Sequence, residues 1–246
     1  MAQRCFEDYA KNDVHFYVDN SIPKLLNWGF DLISAVKQPS IIDLGCSVGR
    51  LYYALFHKGL LDRFERIVGV DISSERITRL KNELPFVEAV VADASKMKSA
   101  DLFDYVICSQ VIEHVKDDGD LVTTINNLLK NRGIAYVSSV IKHWYVMYYY
   151  FNNGSIRLDP THVREYTSMD EFLSLFRERK FEIINFKSHQ VMFSILTYLI
   201  RSLIKYGLME PDAFFYKKHK RLYEIAKLRT PIIGYKTCEV LVRKIE

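Results

Sequence analysis

Short apolar runs alternate with stretches of helical period over the first two thirds of the chain. Ile41-Ile42-Asp43-Leu44 reads as a buried strand ending at Gly45. A helix is expected from about Val48 to Lys58, stopping at Gly59, a residue suited to a left-handed cap. Ile67 to Val70 gives a second strand ending in Asp71, after which Ser73 or Ser74 caps a helix with Ile77 and Leu80 on one face. Val87 to Val91 forms a third strand, ending near Asp93, and Phe103 to Cys108 a fourth. The next helix carries Leu121, Ile125, Leu128 and Leu129 and is expected to end at Gly133, before a fifth strand from Ile134 to Val140. Five strand-then-helix units predict an α/β domain with a doubly wound parallel sheet. Strands buried on both faces explain the continuous Val/Ile runs.

After the fifth strand the rhythm breaks. Trp144 to Phe151 is an aromatic block, read as core packing at a position that also borders a ligand crevice. A loop rich in Asn, Gly and Pro follows, then a helix whose start at Ser168 is marked by Glu171 three residues on. Phe181 to Phe186 and Cys238 to Val242 read as the last two strands. Residues 190–236 between them are helical in pattern, so residues 1–246 read as one domain with a lid-like helical insertion. Ser194, Thr197, Arg201 and Lys205 fall on one helical stripe and leave a wide apolar face. Such a face suits a cover over a site, or contact with a membrane surface beside Lys217, Lys218, Lys220 and Arg221.

Composition narrows the partners. The chain is 49% hydrophobic, enough for a real core. Its four cysteines, Cys5, Cys46, Cys108 and Cys238, form no C-x-x-C pair, which argues against a disulfide framework and suits a reducing cytoplasm. Arg4, Glu7, Asp8, Lys11 and Asp13 leave no apolar core for a secretory signal at the start. Charge is uneven: residues 1–200 hold 23 basic and 25 acidic side chains, residues 201–246 hold 11 and 5. A basic tail can face nucleic acid, an anionic membrane or a phosphorylated substrate. The slightly acidic remainder and the lack of a separate RNA-binding domain count against RNA.

Candidate chemistry sits at the strand ends. Asp43-Leu44-Gly45-Cys46-Ser47-Val48-Gly49 is a strand, an acidic residue and a glycine turn leading into a helix. Its glycines do not fit the G-x-G-x-x-G of a dinucleotide site. The run resembles the first motif of the class I S-adenosylmethionine-dependent methyltransferases, with Ser47 in place of the middle glycine. Phe103 to Val115 is similar to the family's fourth motif in the form seen in quinone-type O-methyltransferases. The resemblance spans about Ser21 to Lys187. It implies a Rossmann-like, seven-stranded, mostly parallel sheet with helices on both faces, and it does not reach the helical insertion before the last strand, which rests on the residue pattern alone.

The same resemblance implies that S-adenosylmethionine binds across Asp43, Gly45, Cys46, Ser47 and Gly49, Asp71 and Ile72, Asp93 and Ala94, and Ser109 and Gln110. Asp71 would accept bonds from the ribose hydroxyls, and Asp93 would meet the adenine amino group. The acceptor is expected to be a small molecule or a glycan, free or linked to lipid or phosphate, and methylated on oxygen. RNA methylation, or cofactor binding without catalysis, is the alternative. An aminopropyl transferase would want an acidic pair where Ser109 and Gln110 stand. His162, in Asp159-Pro160-Thr161-His162-Val163-Arg164-Glu165, is the first candidate for a general base, His114 the second, and Arg164 a candidate anion clamp. Small-RNA 3′-end methyltransferases carry a metal-binding carboxylate where Gln110 stands, so no metal is expected.

Overall fold

A computed structural model describes residues 16, 22–147, 150–152 and 155–245. The polar opening stretch with Cys5, and Tyr148 and Tyr149 of the aromatic block, lie outside the described residues, as do the side chains of Tyr150, Phe151 and Lys205. The elements in chain order are α1 (Lys24–Leu32), β1 (Ser40–Leu44), α2 (Arg50–His57), β2 (Arg66–Asp71), α3 (Ser74–Glu83), β3 (Glu88–Val91) and β4 (Phe103–Ser109). There follow α4 (Asp118–Leu128), β5 (Leu129–Lys142), β6 (Tyr150–Asn152), β7 (Ser155–Arg157), α5 (Met169–Arg177) and β8 (Phe181–Phe193). Last come α6 (Ile195–Lys205), α7 (Phe215–Lys218), α8 (Lys220–Ala226) and β9 (Thr230–Lys244).

Seven strands form one sheet in the order β3-β2-β1-β4-β5-β9-β8, the seven-stranded, mostly parallel sheet that the resemblance implies. β1 to β5 run parallel, whereas β9 lies antiparallel between β5 and β8. β8 therefore points the same way as β5, and its end lies at the edge where β1 to β5 also end. Alternate residues of each central strand feed two cores. Ile42, Leu44, Val106 and Cys108 pack toward α4 and α5, while Ile41, Tyr105 and Ile107 pack toward α1, α2 and α3. That two-sided burial is why the strands read as unbroken apolar runs.

The structure moves several boundaries. α4 stops at Leu128 and β5 begins at once, because Leu129 pairs with Phe103 in the sheet instead of extending the helical face. Gly133 thus lies within the strand. α2 starts at Arg50, since Gly49 has a φ of +78° and cannot join it. β8 and β9 are far longer than expected, pairing from Phe181↔Lys244 to Phe193↔Thr230. Lys187 to Gln190 lack apolar residues, and the backbone ladder to β9, helped by the Gln190 side-chain amide donating to the Ile232 and Tyr235 carbonyls, carries the strand through them. The helical part of the insertion is correspondingly shorter and lies between Phe193 and Thr230.

The insertion builds its own small core from Ile200, Phe215, Tyr216 and Ala226, joined by Phe16. The apolar face of α6 is divided: Leu196, Ile200 and Ile204 turn inward, whereas Ile195, Tyr198, Leu199 and Leu203 are exposed. The aromatic block does not pack in the core where it is described. Trp144 is 93% exposed and Met147 73%, because the segment is tied to the start of β9 by backbone bonds from His143 and Met147 to Gly234 and Ile233. Among the described residues no helix is long and apolar enough to cross a membrane.

Candidate active site

The glycine turn after β1 is locked from several sides. Gly45 and Cys46 donate their amides to the Val70 carbonyl at 2.7 and 2.9 Å, pinning the turn to the tip of β2. Gly45 and Gly49 have φ of +77° and +78°, and a Cβ on them would fall 2.3 Å from Val111 Cγ2 and 2.4 Å from Leu80 Cδ1. Only glycine meets both demands. Ser47, standing for the middle glycine, is also left-handed, at φ +53°. Its amide donates to Asp71 Oδ2 at 2.9 Å, and its hydroxyl is buried without a hydrogen-bond partner. A left-handed L-residue costs roughly 1–2 kcal/mol, while glycine loses about 0.5–1 kcal/mol more backbone entropy. Ser47→Gly is therefore expected to stabilise the fold slightly, raising the melting temperature by about 3 °C in a thermal melt.

Asp71 does more than await a ligand. It holds the turn through Ser47, and its Oδ1 accepts from Ser73 N at 2.9 Å, with the Arg76 guanidinium 3.9 Å away. A carboxylate has about four lone-pair positions, so two remain for hydroxyls. Asp43, 3% exposed, has its carboxyl pushed up to about 8, first by burial and then by the charge of Asp71. Cys46 is buried, its thiol is pushed up by burial, and its amide and carbonyl are engaged by Val70 O and Gly49 N, so this position serves to hold the turn.

The other predicted positions follow along the same edge. Ile72 is half-buried beside Asp71. Asp93, half-buried, caps a 3-10 turn by accepting from Ser95 N and Oγ at 2.9 and 2.7 Å, and Ala94 packs into the core. Ser109 Oγ lies 3.0 Å from Ser138 Oγ. Gln110 is exposed in a left-handed conformation, with its Nε2 donating to Ser138 Oγ at 3.3 Å. Because β1 to β4 are parallel neighbours, their tips bring Asp43, Asp71, Asp93 and Ser109 to one edge of the sheet. The orphaned Ser47 hydroxyl and the acidic side chains at adjoining tips fit a nucleoside-bearing cation.

A second cluster lies beyond β4. His114 is not on a helix: α4 begins only at Asp118, where Asp117 accepts from Asp120 N, and His114 sits in the preceding turn, donating its amide to Val111 O. His114 Nδ1 is 3.0 Å from Thr161 Oγ1. Burial, then the neighbouring His162, pushes its imidazole down to about 4. Glu113 is fully buried and raised by that burial to about 7. Its Oε2 accepts from Ser139 Oγ at 3.0 Å, while its Oε1 has no hydrogen-bond partner. His162, buried, has Nδ1 2.8 Å from Glu165 Oε1, and its ring meets that of His114 edge-on at 4.8 Å. Leu158 N also donates to Glu165, and Lys142 Nζ stands 3.7 Å from Oε2.

One expectation changes here. Arg164 is no anion clamp: its guanidinium is engaged by Asp118 at 3.2 Å and by the Lys116 carbonyl. Glu113, His114 and His162 each bring a ligand atom within 4.8 Å of the others, although Gln110, bonded to Ser138, stays out of the group. Two imidazoles and a carboxylate are donors that a borderline divalent cation accepts. The sequence reading gave no role to Glu113 or Glu165. The signal for Glu165 was its place three residues after His162, while burial of Glu113 appears only in three dimensions.

Comparison with known proteins agrees with this fold. A family model for a methyltransferase domain matches residues 42–137. The ubiquinone biosynthesis O-methyltransferases of Leptothrix cholodnii and Stutzerimonas stutzeri are 24% and 27% identical over 125 and 124 residues, each match covering 48% of this chain and 51% of the relative. The chain thus spans about half the length of the curated relatives it matches. A putative methyltransferase of Bacillus halodurans superposes with a TM-score of 0.61 at 16% identity, covering 90% of this chain and 99% of the other. The [4+2]-cyclase SpnF reaches 0.63 at 14% identity, covering 100% and 97%. The likeness to that cyclase is one of fold, which by itself does not fix a reaction. Residues 42–137 thus match the model of a methyltransferase domain, and the chain carries them in a fold shared with the putative methyltransferase on which it superposes.

Proposed function

We propose that the protein transfers a methyl group from S-adenosylmethionine to an oxygen of a small-molecule acceptor, with His162 as the base. The observation that carries the reading is the left-handed turn at Gly45, Ser47 and Gly49, fastened to Asp71 and holding the unpartnered Ser47 hydroxyl. When bound, S-adenosylmethionine supplies a methyl on a sulfonium, open to in-line displacement. Asp71 then binds ribose hydroxyls with its remaining lone pairs, and ionised Asp43 offsets the positive charge above it. Gln110, exposed at the tip of β4, lines the floor beside Ser109.

Transfer to a hydroxyl needs alignment, exclusion of water and somewhere for the proton to go. His162 is bonded through Nδ1 to Glu165, so Nε2 is the nitrogen that takes the proton, while Glu165 holds the ring and stabilises the imidazolium. His114, held near 4, is the weaker base. The insertion springs from the end of β8, at the same sheet edge as the cofactor positions, which supports its reading as a cover that keeps water out. The names of the ubiquinone biosynthesis relatives favour an oxygen acceptor.

Calorimetry tests the cofactor half. Asp71→Asn keeps the shape of the side chain but loses its charge and one acceptor. It is expected to weaken S-adenosylmethionine binding at least tenfold, about 1.4 kcal/mol, while a thermal melt shows the protein folded. Equal affinity in the variant would take Asp71 out of the site and the reading with it.

A further inference from the structure

We infer that the cavity between the end of β8, α6 and α8 is a binding site for an amphiphilic anion, a carboxylate or phosphate carried on an apolar body. Naming that anion as the methyl acceptor rests on the proposed function; the binding site itself does not. The cavity has a volume of about 590 Å³, within the range of small-molecule sites. Phe193, Tyr198, Tyr216 and Ile232 give it apolar and aromatic walls. Arg50, Arg201, Lys227 and Arg229 also line it, and among the described residues no Asp or Glu does. Lys227 pairs with Glu224 at 2.6 Å, but Arg201 and Arg229 are exposed and make no ion pair among the described residues.

Cations gathered around one cavity repel each other, and a bound anion turns that cost into attraction. Guanidinium groups suit the task, because their planar fork matches the two oxygens of a carboxylate or phosphate. The aromatic walls supply the area over which an apolar body loses water. Place links the cavity to the methyl-donor crevice: Arg50 is the first residue of α2 and directly follows Gly49 of the glycine turn. A ligand lodged by its anionic end among the arginines would lie next to that turn.

Calorimetry on the full chain tests the assignment with octyl phosphate, octanoate, octanol and inorganic phosphate, the amphiphiles kept below their micelle concentrations. One molecule of octyl phosphate or octanoate is expected to bind at least tenfold more tightly than either octanol or inorganic phosphate, and the tighter of the two identifies the anionic head. The double variant Arg201→Gln/Arg229→Gln is expected to reduce that affinity at least tenfold, with S-adenosylmethionine affinity and melting temperature unchanged. Octanol binding as tightly as the anions, or a double variant that binds them like the parent, overturns the inference. Loss of S-adenosylmethionine binding alone, with octyl phosphate retained, would sink the methyl-transfer reading and leave this site standing.

Discussion

His162→Ala is expected to lower methyl transfer by about 10²–10³-fold, within the range of general-base removal, while the affinity for S-adenosylmethionine stays within about twofold. The imidazole stands in the buried cluster beyond β4, not in the glycine turn proposed to hold the donor, so binding and transfer should separate. Removing it leaves Glu165 buried beside a void, with Leu158 N and Lys142 near its oxygens among the described residues. A thermal melt therefore accompanies the kinetics. Glu165→Gln, which keeps the imidazole and loses its anionic partner, is expected to cost roughly tenfold in transfer, as loss of a single charged hydrogen bond would. A chelator is expected to leave the rate unchanged. A rate abolished by chelation and restored by a divalent cation would make Glu113, His114 and His162 ligands and overturn the role of base. A His162 variant that retains full transfer would do the same.

Asp43→Asn is expected to act in opposite directions on stability and on cofactor affinity. The native carboxyl titrates at about 8, against 3.8 for its ordinary value, because burial and then Asp71 disfavour its charged form. Between those values the folded protein holds a proton that the unfolded chain has lost, so stability falls as pH rises, by about 1.4 kcal/mol per unit. Glu113, raised from 4.5 to about 7, acts in the same sense up to pH 7. His114, lowered from 6.5 to about 4, acts in the opposite sense, since below 6.5 it is the unfolded chain that takes up the proton. The two nearly cancel from about pH 4.5 to 6.5, and from pH 6.5 to 8 Asp43 sets most of the slope, with Glu113 adding to it up to pH 7. Melting temperature should drop there by roughly 4–8 °C in the parent and stay nearly flat in Asp43→Asn. The amide cannot offset a cation, however. S-adenosylmethionine affinity in the parent should rise toward pH 8 as Asp43 ionises, and in the variant it should be about tenfold weaker and insensitive to pH. A parent whose melting temperature does not change from pH 6.5 to 8 would show that Asp43 is not held protonated.

The central strands were legible because their alternate residues face two separate cores. Ile41 and Ile42, or Tyr105 and Val106, had to be apolar side by side, and no surface element carries such runs. The sheet's outer edge was less legible. β8 continues through Lys187-Ser188-His189-Gln190 mainly on backbone hydrogen bonds to β9, and a backbone ladder leaves no mark in side-chain polarity. The aromatic block misled for the converse reason. Trp144 and Met147 look like core, but nothing in the described fold covers a segment held by its backbone to the start of β9.

The sequence alone determined the order of strands and helices, the glycine turn and the acidic residues at successive strand ends, because each is written in local periodicity and in backbone freedom. Tertiary structure decided which of those residues meet. Ser47 lies 24 positions before Asp71 and bonds to it, and His114 lies 47 positions before Thr161, the residue its ring touches. It also committed Arg164 to Asp118, placed His162 against Glu165, and joined Arg50 to the insertion's arginines around one cavity. Such pairings depend on the crossing of elements far apart in the chain, and burial then sets which charges survive. Neither is encoded within the span of a turn.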